Sequence, residues 1–518
     1  MVERRATVYA GRVNALKIGW ASRDISTDRP VAIPGQFHIR VSRGVTDPIT
    51  VTALALDDGN DLAVFVSADL VAIRPPLLAE ARAAVAARIP GFPVEKLLIH
   101  ATHTHTGAGY AEQMGSMATP SEAPHEGIEI ASSDEYRAFL VAQIGDAVAE
   151  AWAQRAPGGI AFGYGYAVVG HHRRVVYFDD VSKRPGAAGR PGMNVAGHAV
   201  MYGNTHDPQF SHYETGADPT VQLFYTFGTD GRLTGGVVNV PCPSQNSEQE
   251  WQLSADYWHD VRVAIRHRHG DIFLLPQCAA AGDLSPRILH HRAAQDRRFR
   301  LKYEVADVAS QRERLARRDA AARIAAAFDE TLEWARRDLR AEVPLRHTVR
   351  TLSLHRRFIT KTEYQFHRRE LRRLEAAPFA SEGTPIERLM HDSTLVARRN
   401  RCRRILERYA EQADRPRLPM ELHAIRVGDV AWVSNPFELY MDYMHRIQAR
   451  SPFIQTFVVQ LCGALPNGAS GYLATERGVR GRGYSASLYC NQVSPQGGQE
   501  LVEATVAALD ELHAGAVE

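Results

Sequence analysis

The sequence predicts an α/β fold built around a mixed sheet. Three observations support this class: strand-like and helix-like segments alternate over the first 285 residues, two pairs of strands flank hairpin-type turns, and one strand–helix–strand unit is present. Hairpins pair antiparallel strands, whereas a strand–helix–strand unit pairs parallel strands. Both kinds of pairing are therefore expected in this protein.

The first hairpin is predicted in the stretch from VTALAL to LAVFVSADL, which the turn-forming residues DDGND interrupt. The helix LLAEARAAVAARI (Leu77 to Ile89) follows and ends at a Pro-Gly pair. The next apolar run, LLI from Leu97 to Ile99, has the character of a buried strand. This strand is expected to lie parallel to LAVFVSADL, with a functional site at its carboxyl end.

The segment HATHTHTGAGY begins where that strand ends. A regular strand would aim His103 and His105 at the same face, where both imidazoles can converge on one metal ion or one metal-bound water. Gly107 and Gly109 leave room for a ligand to approach the backbone, and His100 is assigned to the strand itself. The alternative is that these are two hydrogen-bonding histidines at a strand end.

The second hairpin is predicted from VQLFYTF and LTGGVVNV, which flank the turn GTDGR. Its outgoing strand runs into Pro241, Cys242 and Pro243, and the two prolines end the ladder and fix the direction of the cysteine. SADYWHDVRVAIRHRHG is then predicted to be a helix, and DIFLLPQ a buried strand that leads into GDLSP.

Between residues 286 and 415 the sequence changes to arginine-rich helical segments. Leu301, Val305 and Val308 have helical spacing, and acidic residues interleave with the arginines, which favours a solvated helical surface over a nucleic-acid-binding face. The strand-like stretch PMELHAIRVGDVAWVSN follows, with VGD as its turn. We expect one large domain over residues 1–518, with the arginine-rich section inside it.

The composition is that of a globular protein and argues against several functions. Hydrophobic residues make up 45% and charged residues 23% of the chain, and a net charge of +2 argues against nucleic acid as a partner. The amino terminus lacks an apolar secretory signal and no stretch is long enough to span a bilayer, so a cytoplasmic location is expected. Five cysteines without CxxC spacing suit reduced thiols. The oligomeric state is not predicted.

Five short motifs together resemble those of the neutral, non-lysosomal ceramidases, zinc amidases that cleave the N-acyl bond of ceramide. HTHTGAG and GDLSP resemble the family's HTHSGPG and GDxSP. NPFE, GYLAT and GYSASLY resemble PGE, YxTT and YEGASxxYG, and all five occur in family order. The resemblance implies a ceramidase-like catalytic domain with helical elaboration, here without the immunoglobulin-like domain that follows it in known ceramidases.

The resemblance also implies one zinc ion and its ligands. In the family these are the first histidine of HTH, a histidine in an HP dipeptide, the glutamate of PGE and the tyrosine before TT. His103, Glu438 and Tyr472 match three of them, and Cys242 stands at the HP position. A thiolate can bind zinc, but its charge would raise the pKa of a zinc-bound water. Alternatively, Cys242 is a small buried residue beside a three-ligand or empty site.

Four further residues receive roles from the resemblance. His105 matches the residue that orients or deprotonates the attacking water, and Tyr484 matches one that holds the carbonyl or its oxyanion. Arg173 would contact the polar head of the substrate, or form a structural ion pair. Ser285 matches a serine once viewed as a nucleophile, although a turn that supports the metal site is the favoured interpretation.

These assignments predict a zinc-dependent amidohydrolase that cleaves an amide or N-acyl bond in a small-molecule or lipid-like substrate by metal-activated water. Hydrolysis of an ester or other acyl linkage in a small polar cytosolic substrate is one alternative. The other two are a hydrolase of the TIM-barrel amidohydrolase class and a binding protein that kept the fold after losing a metal ligand.

Overall fold

The structure is a computed structural model that describes residues 14–111, 117–187, 197–466 and 470–515. In chain order its strands are β1 (Lys17–Asp24), β2 (Ala32–Ile33), β3 (Arg40–Val41), β4 (Thr50–Asp57), β5 (Leu62–Ala68), β6 (Leu97–Ala101), β7 (Ala156–Tyr166), β8 (His171–His172), β9 (Arg174–Tyr177), β10 (Ala199–Met201), β11 (Phe210–Tyr213), β12 (Thr220–Gly228), β13 (Leu233–Val240), β14 (Phe273–Cys278), β15 (Leu284–Ser285), β16 (Leu345–His355), β17 (Arg417–Val427), β18 (Val430–Ser434), β19 (Phe437–Leu439), β20 (Gln455–Val459) and β21 (Gly471–Leu473). The α-helices of the same ranges are α1 (Pro75–Arg88), α2 (Ser133–Ala153), α3 (Tyr257–His269), α4 (Arg292–Tyr303), α5 (Arg312–Ala335), α6 (Lys361–Glu375), α7 (Pro385–Glu411), α8 (Met441–Arg450), α9 (Glu476–Gly481) and α10 (Pro495–Ala514).

An eight-stranded mixed sheet with the order β14-β13-β12-β7-β1-β4-β5-β6 carries the first half of the fold. The predicted hairpins are the antiparallel pairs β4–β5 and β12–β13, and α1 is the crossover between the parallel strands β5 and β6. β14 pairs parallel to β13 at the opposite edge. The mixed sheet and its two hairpins therefore confirm the predicted fold class.

A four-stranded sheet with the order β16-β17-β18-β20 packs against the larger sheet. Aromatic side chains fill the layer between them: Trp432 stacks on Phe457 with ring centroids 4.5 Å apart and lies 5.0 Å from Phe224 and 5.4 Å from Phe65. All four rings are buried, so each sheet covers an apolar face of the other. The predicted turn VGD joins β17 to β18 in this smaller sheet.

The arginine-rich section contains helices α4 to α7, as predicted, but β16 interrupts it. The sequence pattern missed β16 because this strand is at an edge of the sheet, where polar side chains remain half exposed. The predicted helical stripe is also wrong in part: α4 ends before Val305, and Leu301 on α4 is 61% exposed. Over the described ranges, no helix has the length and apolar character needed to cross a bilayer.

Candidate active site

His103 and His105 follow the strand rather than continue it. β6 ends at Ala101, and the two histidines lie in the loop beyond it. His103 has a backbone φ of 64°, a conformation that residues with a Cβ rarely adopt, so the strand-like alternation predicted for this pair does not hold. Their Nε2 atoms nevertheless lie 3.4 Å apart, because the turn brings the two rings together. His100 lies in β6, as predicted.

The His103 ring is fixed in one tautomer by the backbone. Its Nδ1 lies 2.6 Å from the carbonyl oxygen of Val71, an acceptor, so Nδ1 carries the proton and donates it. The Nε2 lone pair then points into the site, where it lies 3.4 Å from Oε2 of Glu438. Metal-binding histidines commonly have this second hydrogen bond.

Glu438 and Tyr472 are neighbours across a short parallel ladder. β19 and β21 pair with Glu438 directly opposite Tyr472, so both side chains leave the same face. Burial alone would raise the pKa of Glu438, but His103, Arg173 and a hydrogen bond from Tyr472 outweigh burial and lower it below its ordinary value. Burial raises the pKa of Tyr472 well above its ordinary value. At neutral pH the pair is a carboxylate beside a protonated phenol.

Arg173 is a buried cation in contact with this pair. Its Nη2 donates to the Tyr472 hydroxyl at 3.1 Å and to the Gly282 carbonyl at 2.7 Å, and lies 3.9 Å from Oε2 of Glu438. Burial opposes the charge, but Tyr472, Tyr202 and Glu438 raise the pKa of Arg173 well above its ordinary value. The side chain therefore stays positive in the site.

The GDLSP segment supports the site through its backbone. A Cβ on Gly282 would overlap the carbonyl of Glu438, so glycine is required where these chains meet. The Asp283 carboxylate accepts from the backbone N–H of Met441 at 3.0 Å. Ser285 is fully buried, and its Oγ accepts from the N–H of Arg287 at 3.2 Å. These contacts are those of a supporting turn, and a nucleophilic role for Ser285 stays a prediction.

His105 is enclosed by side chains from two loops. Gln245 places its amide Nε2 2.7 Å from His105 Nε2, and Glu248 places Oε2 3.3 Å from His105 Nδ1. Arg40 donates to the His105 carbonyl, and a Cβ on Gly35 would lie 2.6 Å from the imidazole ring. Burial lowers the pKa of His105 to about 4, against the opposing effect of Glu248. The imidazole is therefore neutral and acceptor-capable at Nε2.

Tyr484 closes one side of the site with other aromatic rings. Its ring centroid lies 5.9 Å from that of Tyr472, with the two rings nearly perpendicular, and 5.1 Å from that of Phe37. Burial raises its pKa well above the ordinary value, so the hydroxyl remains a proton donor at neutral pH. Its catalytic role stays a prediction.

Cys242 has a different environment from the other predicted ligands. It is fully buried in the main apolar core, and its thiol donates to the carbonyl of Pro243 at 3.4 Å. Burial raises its pKa well above the ordinary value, and the nearby Cys278 adds to this effect. Among the residues that the structure describes, no three His, Cys, Asp or Glu side chains form a ready metal-ligand group. The assignment of Cys242 as a ligand stays a prediction.

Comparison with solved structures identifies the fold. Neutral ceramidase from Pseudomonas aeruginosa superimposes with a TM-score of 0.63 at 16% identity, over 96% of this chain and 74% of that one. A ceramidase complexed with C2 gives a TM-score of 0.62 at 15% identity, over 96% and 75% of the two chains. This chain has a ceramidase-like fold. No family model and no curated protein sequence matches it.

The ceramidase-like fold confirms the class predicted from the motifs and is incompatible with a TIM barrel. A TIM barrel has eight parallel strands. In the eight-stranded sheet here, five neighbouring pairs are antiparallel, and only β13–β14 and β5–β6 are parallel. The TIM-barrel alternative is therefore wrong.

The structure brings together six of the eight residues singled out from the sequence: His103, His105, Arg173, Glu438, Tyr472 and Tyr484. Sequence reasoning missed Gln245 and Glu248, which contact His105, and Gly35, which packs on its ring. A signal was present, since PCPSQNSEQE is a polar run directly after the carboxyl end of β13. Such ends are where α/β proteins place functional loops.

Proposed function

We propose that this protein is a metal-dependent hydrolase of an amide or N-acyl bond. The observation that carries this proposal is the convergence of three acceptor atoms, because Glu438 Oε2 and His105 Nε2 each lie 3.4 Å from His103 Nε2. Both imidazoles carry a lone pair at Nε2, and Glu438 is ionised. Gln245 already donates to the His105 Nε2 lone pair, so the atoms that face a cation site are His103 Nε2 and Glu438 Oε2, and a cation between these two atoms would be stabilised by both.

The residues present fit a zinc ion at this place. His103 and Glu438 supply nitrogen and oxygen donors of the types that zinc binds, and the Val71 carbonyl holds His103 in the required tautomer. Tyr472 would add a phenol oxygen, whose proton its buried environment favours. Cys242, the fourth predicted ligand, would have to lose a proton that its buried environment favours. When bound, the ion would supply Lewis acidity to water and to the substrate carbonyl.

The residues of the chain supply the proton transfers. In the proposed hydrolysis the water displaces the Gln245 amide from His105 Nε2, which takes a proton from it as the water oxygen bonds to the carbonyl carbon. Tyr484 and Arg173 stabilise the negative charge that develops on the carbonyl oxygen. The carbon–nitrogen bond then breaks, and the imidazolium returns its proton to the leaving amine. The product acid and amine account for all atoms of the amide and the water.

The substrate is proposed to be lipid-like, by analogy with the ceramidases that share the fold. An aromatic group of Phe37, Tyr484 and Tyr489 lies beside Tyr472, with ring centroids 5.1 to 5.9 Å apart along the series. Aromatic side chains offer apolar contact area to an acyl or alkyl chain. An ester would react with the same protein side chains. The experiment therefore tests both the type of scissile bond and the type of acyl chain.

The test is release of the carboxylic acid from acyl probes by the purified protein. A short-chain ceramide, an N-acyl amino acid and a matched ester would be assayed with zinc, after chelator treatment, and after zinc restoration. We expect amide cleavage that the chelator abolishes and zinc restores. Absence of cleavage of every probe, together with no bound zinc above the blank, would overturn the proposal and favour the binding-protein alternative.

A further inference from the structure

Glu248 lies between a buried histidine and an arginine at the edge of the site. Its Oε2 is 3.3 Å from Nδ1 of His105, and its Oε1 is 2.7 Å from Nη2 of Arg287. The Glu248 side chain is 9% exposed, whereas the Arg287 side chain is 32% exposed. The carboxylate therefore faces His105 from the interior and a partly solvated cation from the outside.

The two ring nitrogens of His105 are distinguished by their neighbours. Nδ1 is buried and has no hydrogen-bond partner within the described part of the chain. The Glu248 carboxylate, with Oε2 3.3 Å away, is an acceptor close enough to bind a proton on Nδ1 after a small shift. A distance of 3.3 Å is long for a charge-assisted hydrogen bond, and such bonds commonly shorten when substrate binds. Nε2 lies 2.7 Å from the amide nitrogen of Gln245, a donor that a lone pair on Nε2 would accept.

Hydrogen bonds to residues outside the loop fix the position of the loop that carries Gln245 and Glu248. The N–H of Ser247 donates to Asp256 at 2.6 Å, and Arg317 of α5 donates to the Ser247 hydroxyl at 3.3 Å. The backbone carbonyl of Glu248 accepts from Gln36 at 2.9 Å. Anchored on several sides, the loop presents the Glu248 side chain to His105 at a fixed position.

We infer that Glu248 is a positioning residue that holds His105 with its proton on Nδ1 and its lone pair on Nε2. A carboxylate accepts hydrogen bonds and cannot donate one when ionised, so it selects this tautomer. It also stabilises the imidazolium that forms when Nε2 takes a proton from water. The inference rests on the proposed function, in which His105 is the proton acceptor.

The substitution Glu248→Gln tests the inference through kinetics. The amide introduced by this change can donate a proton to Nδ1 and so favour the opposite tautomer. We expect kcat for the best amide probe to fall about 100-fold, with KM within about twofold, because the substrate-binding residues are unchanged. Glu248→Asp keeps the acceptor and should recover at least about tenfold of the lost kcat. An unchanged kcat, or a rise in KM alone, would overturn the inference.

Arg287→Gln is the matched control, since it removes the ion pair to Glu248 and leaves the contact to His105. Its kcat should remain within about threefold of the wild type, because a partly exposed ion pair contributes little. A 100-fold loss in this variant would assign the effect to the Arg287 pair and contradict the inference.

A second measurement does not depend on turnover. In the full chain labelled with ¹⁵N-histidine, the His105 signals are those that His105→Gln removes. We expect a protonated Nδ1 and an unprotonated Nε2 in the wild type, and a population with protonated Nε2 in Glu248→Gln. Protonated Nε2 in the wild type would overturn the inference. If the wild type cleaves no probe, the proposed function fails while the tautomer of His105 is still decided.

Discussion

His103 adopts a left-handed backbone conformation in the centre of the site. Such a φ is strained for a residue with a Cβ and persists where the surroundings determine it. Here the Val71 carbonyl fixes the ring, and the strand before it fixes the chain direction. The strain has a geometric result: it turns His103 Nε2 towards His105 Nε2 and Glu438 instead of along the strand face.

Loss of His103 or Glu438 should abolish zinc binding. His103→Ala and Glu438→Ala each remove one of the proposed donor groups, and the remaining donors bind the ion too weakly to retain it through dialysis. Bound zinc is measured by metal analysis after zinc loading and dialysis. The control is His212→Ala, because His212 is exposed and its side chain contacts only Ser211 among its described hydrogen-bond partners. Full zinc content in either site variant would remove the proposed site.

Gly35→Ala should damage the site through His105. The added Cβ would lie 2.6 Å from the ring, and Gly35 has a φ of 102°. We expect the free energy of unfolding to fall by about 1–3 kcal/mol and kcat to fall about tenfold or more. Urea denaturation and amide turnover measure the two effects.

Gly44→Ala separates backbone strain from the steric effect of Gly35→Ala. Gly44 has a φ of 123°, and a Cβ there would meet no atom within 4 Å. This variant should lose stability and keep its kcat. Equal losses of kcat in both variants would show that contact with His105 is not the cause.

At the level of single residues, the sequence motifs pointed to the side of the site around His103 and Glu438 more fully than to the side around His105. Short sequence motifs contain His103, Glu438, Tyr472 and Arg173, and the fold brings these motifs into contact. Glu248 was missed because its contact depends on the path of a loop after β13, which local periodicity does not encode.

Among the elements, β6 combines a core position with a titratable side chain. His100 is fully buried, and neither ring nitrogen has a hydrogen-bond partner among the described residues. Burial lowers its pKa from 6.5 to about 3. The strand therefore holds a histidine that stays neutral in the folded protein at a pH where the unfolded chain would protonate it.

His100 should make stability fall on acidification. Because its pKa is lower in the folded state, the unfolded state binds more protons below pH 6.5, and stability is lost as the pH falls towards 3. The expected loss from this residue between pH 7 and pH 5 is about 2 kcal/mol. Urea denaturation of wild type and His100→Gln at both pH values measures it, with His212→Gln as the exposed control. Equal pH dependence in wild type and His100→Gln would contradict the pKa shift.

The elements also show where sequence patterns predict structure. β4, β5, α1 and β12 have apolar patterns of the expected period and were identified correctly. β16 was missed because its residues alternate only weakly in burial at a sheet edge. Its pairing with β17 over the whole strand length is a tertiary contact between distant segments.

At the scale of the whole molecule, the cysteines lie inside the packed layers. All five are buried, and burial is the largest effect raising the pKa of each thiol. The sequence indicated reduced thiols from the absence of paired spacing, and the structure contains five free cysteines. Protonated, enclosed thiols react slowly with disulfide reagents, since the thiolate is the nucleophile.

Thiol labelling should therefore report the integrity of the whole fold. We expect the native protein at pH 8 to react with less than about one equivalent of Ellman's reagent and the chain in guanidinium to react at all five cysteines. Rapid labelling of several cysteines in the native state would contradict their burial. Zinc should leave the native value unchanged, because the fold itself buries all five cysteines.

The ladder between β19 and β21 has a consequence for how this chain can change over evolution. Glu438 and Tyr472 are far apart in sequence but face each other because two three-residue strands align in register. Insertions in the loops of the intervening segment, outside α8 and β20, can lengthen it without moving the carboxylate from the phenol. An insertion of one residue within β21 would instead turn Tyr472 to the opposite face.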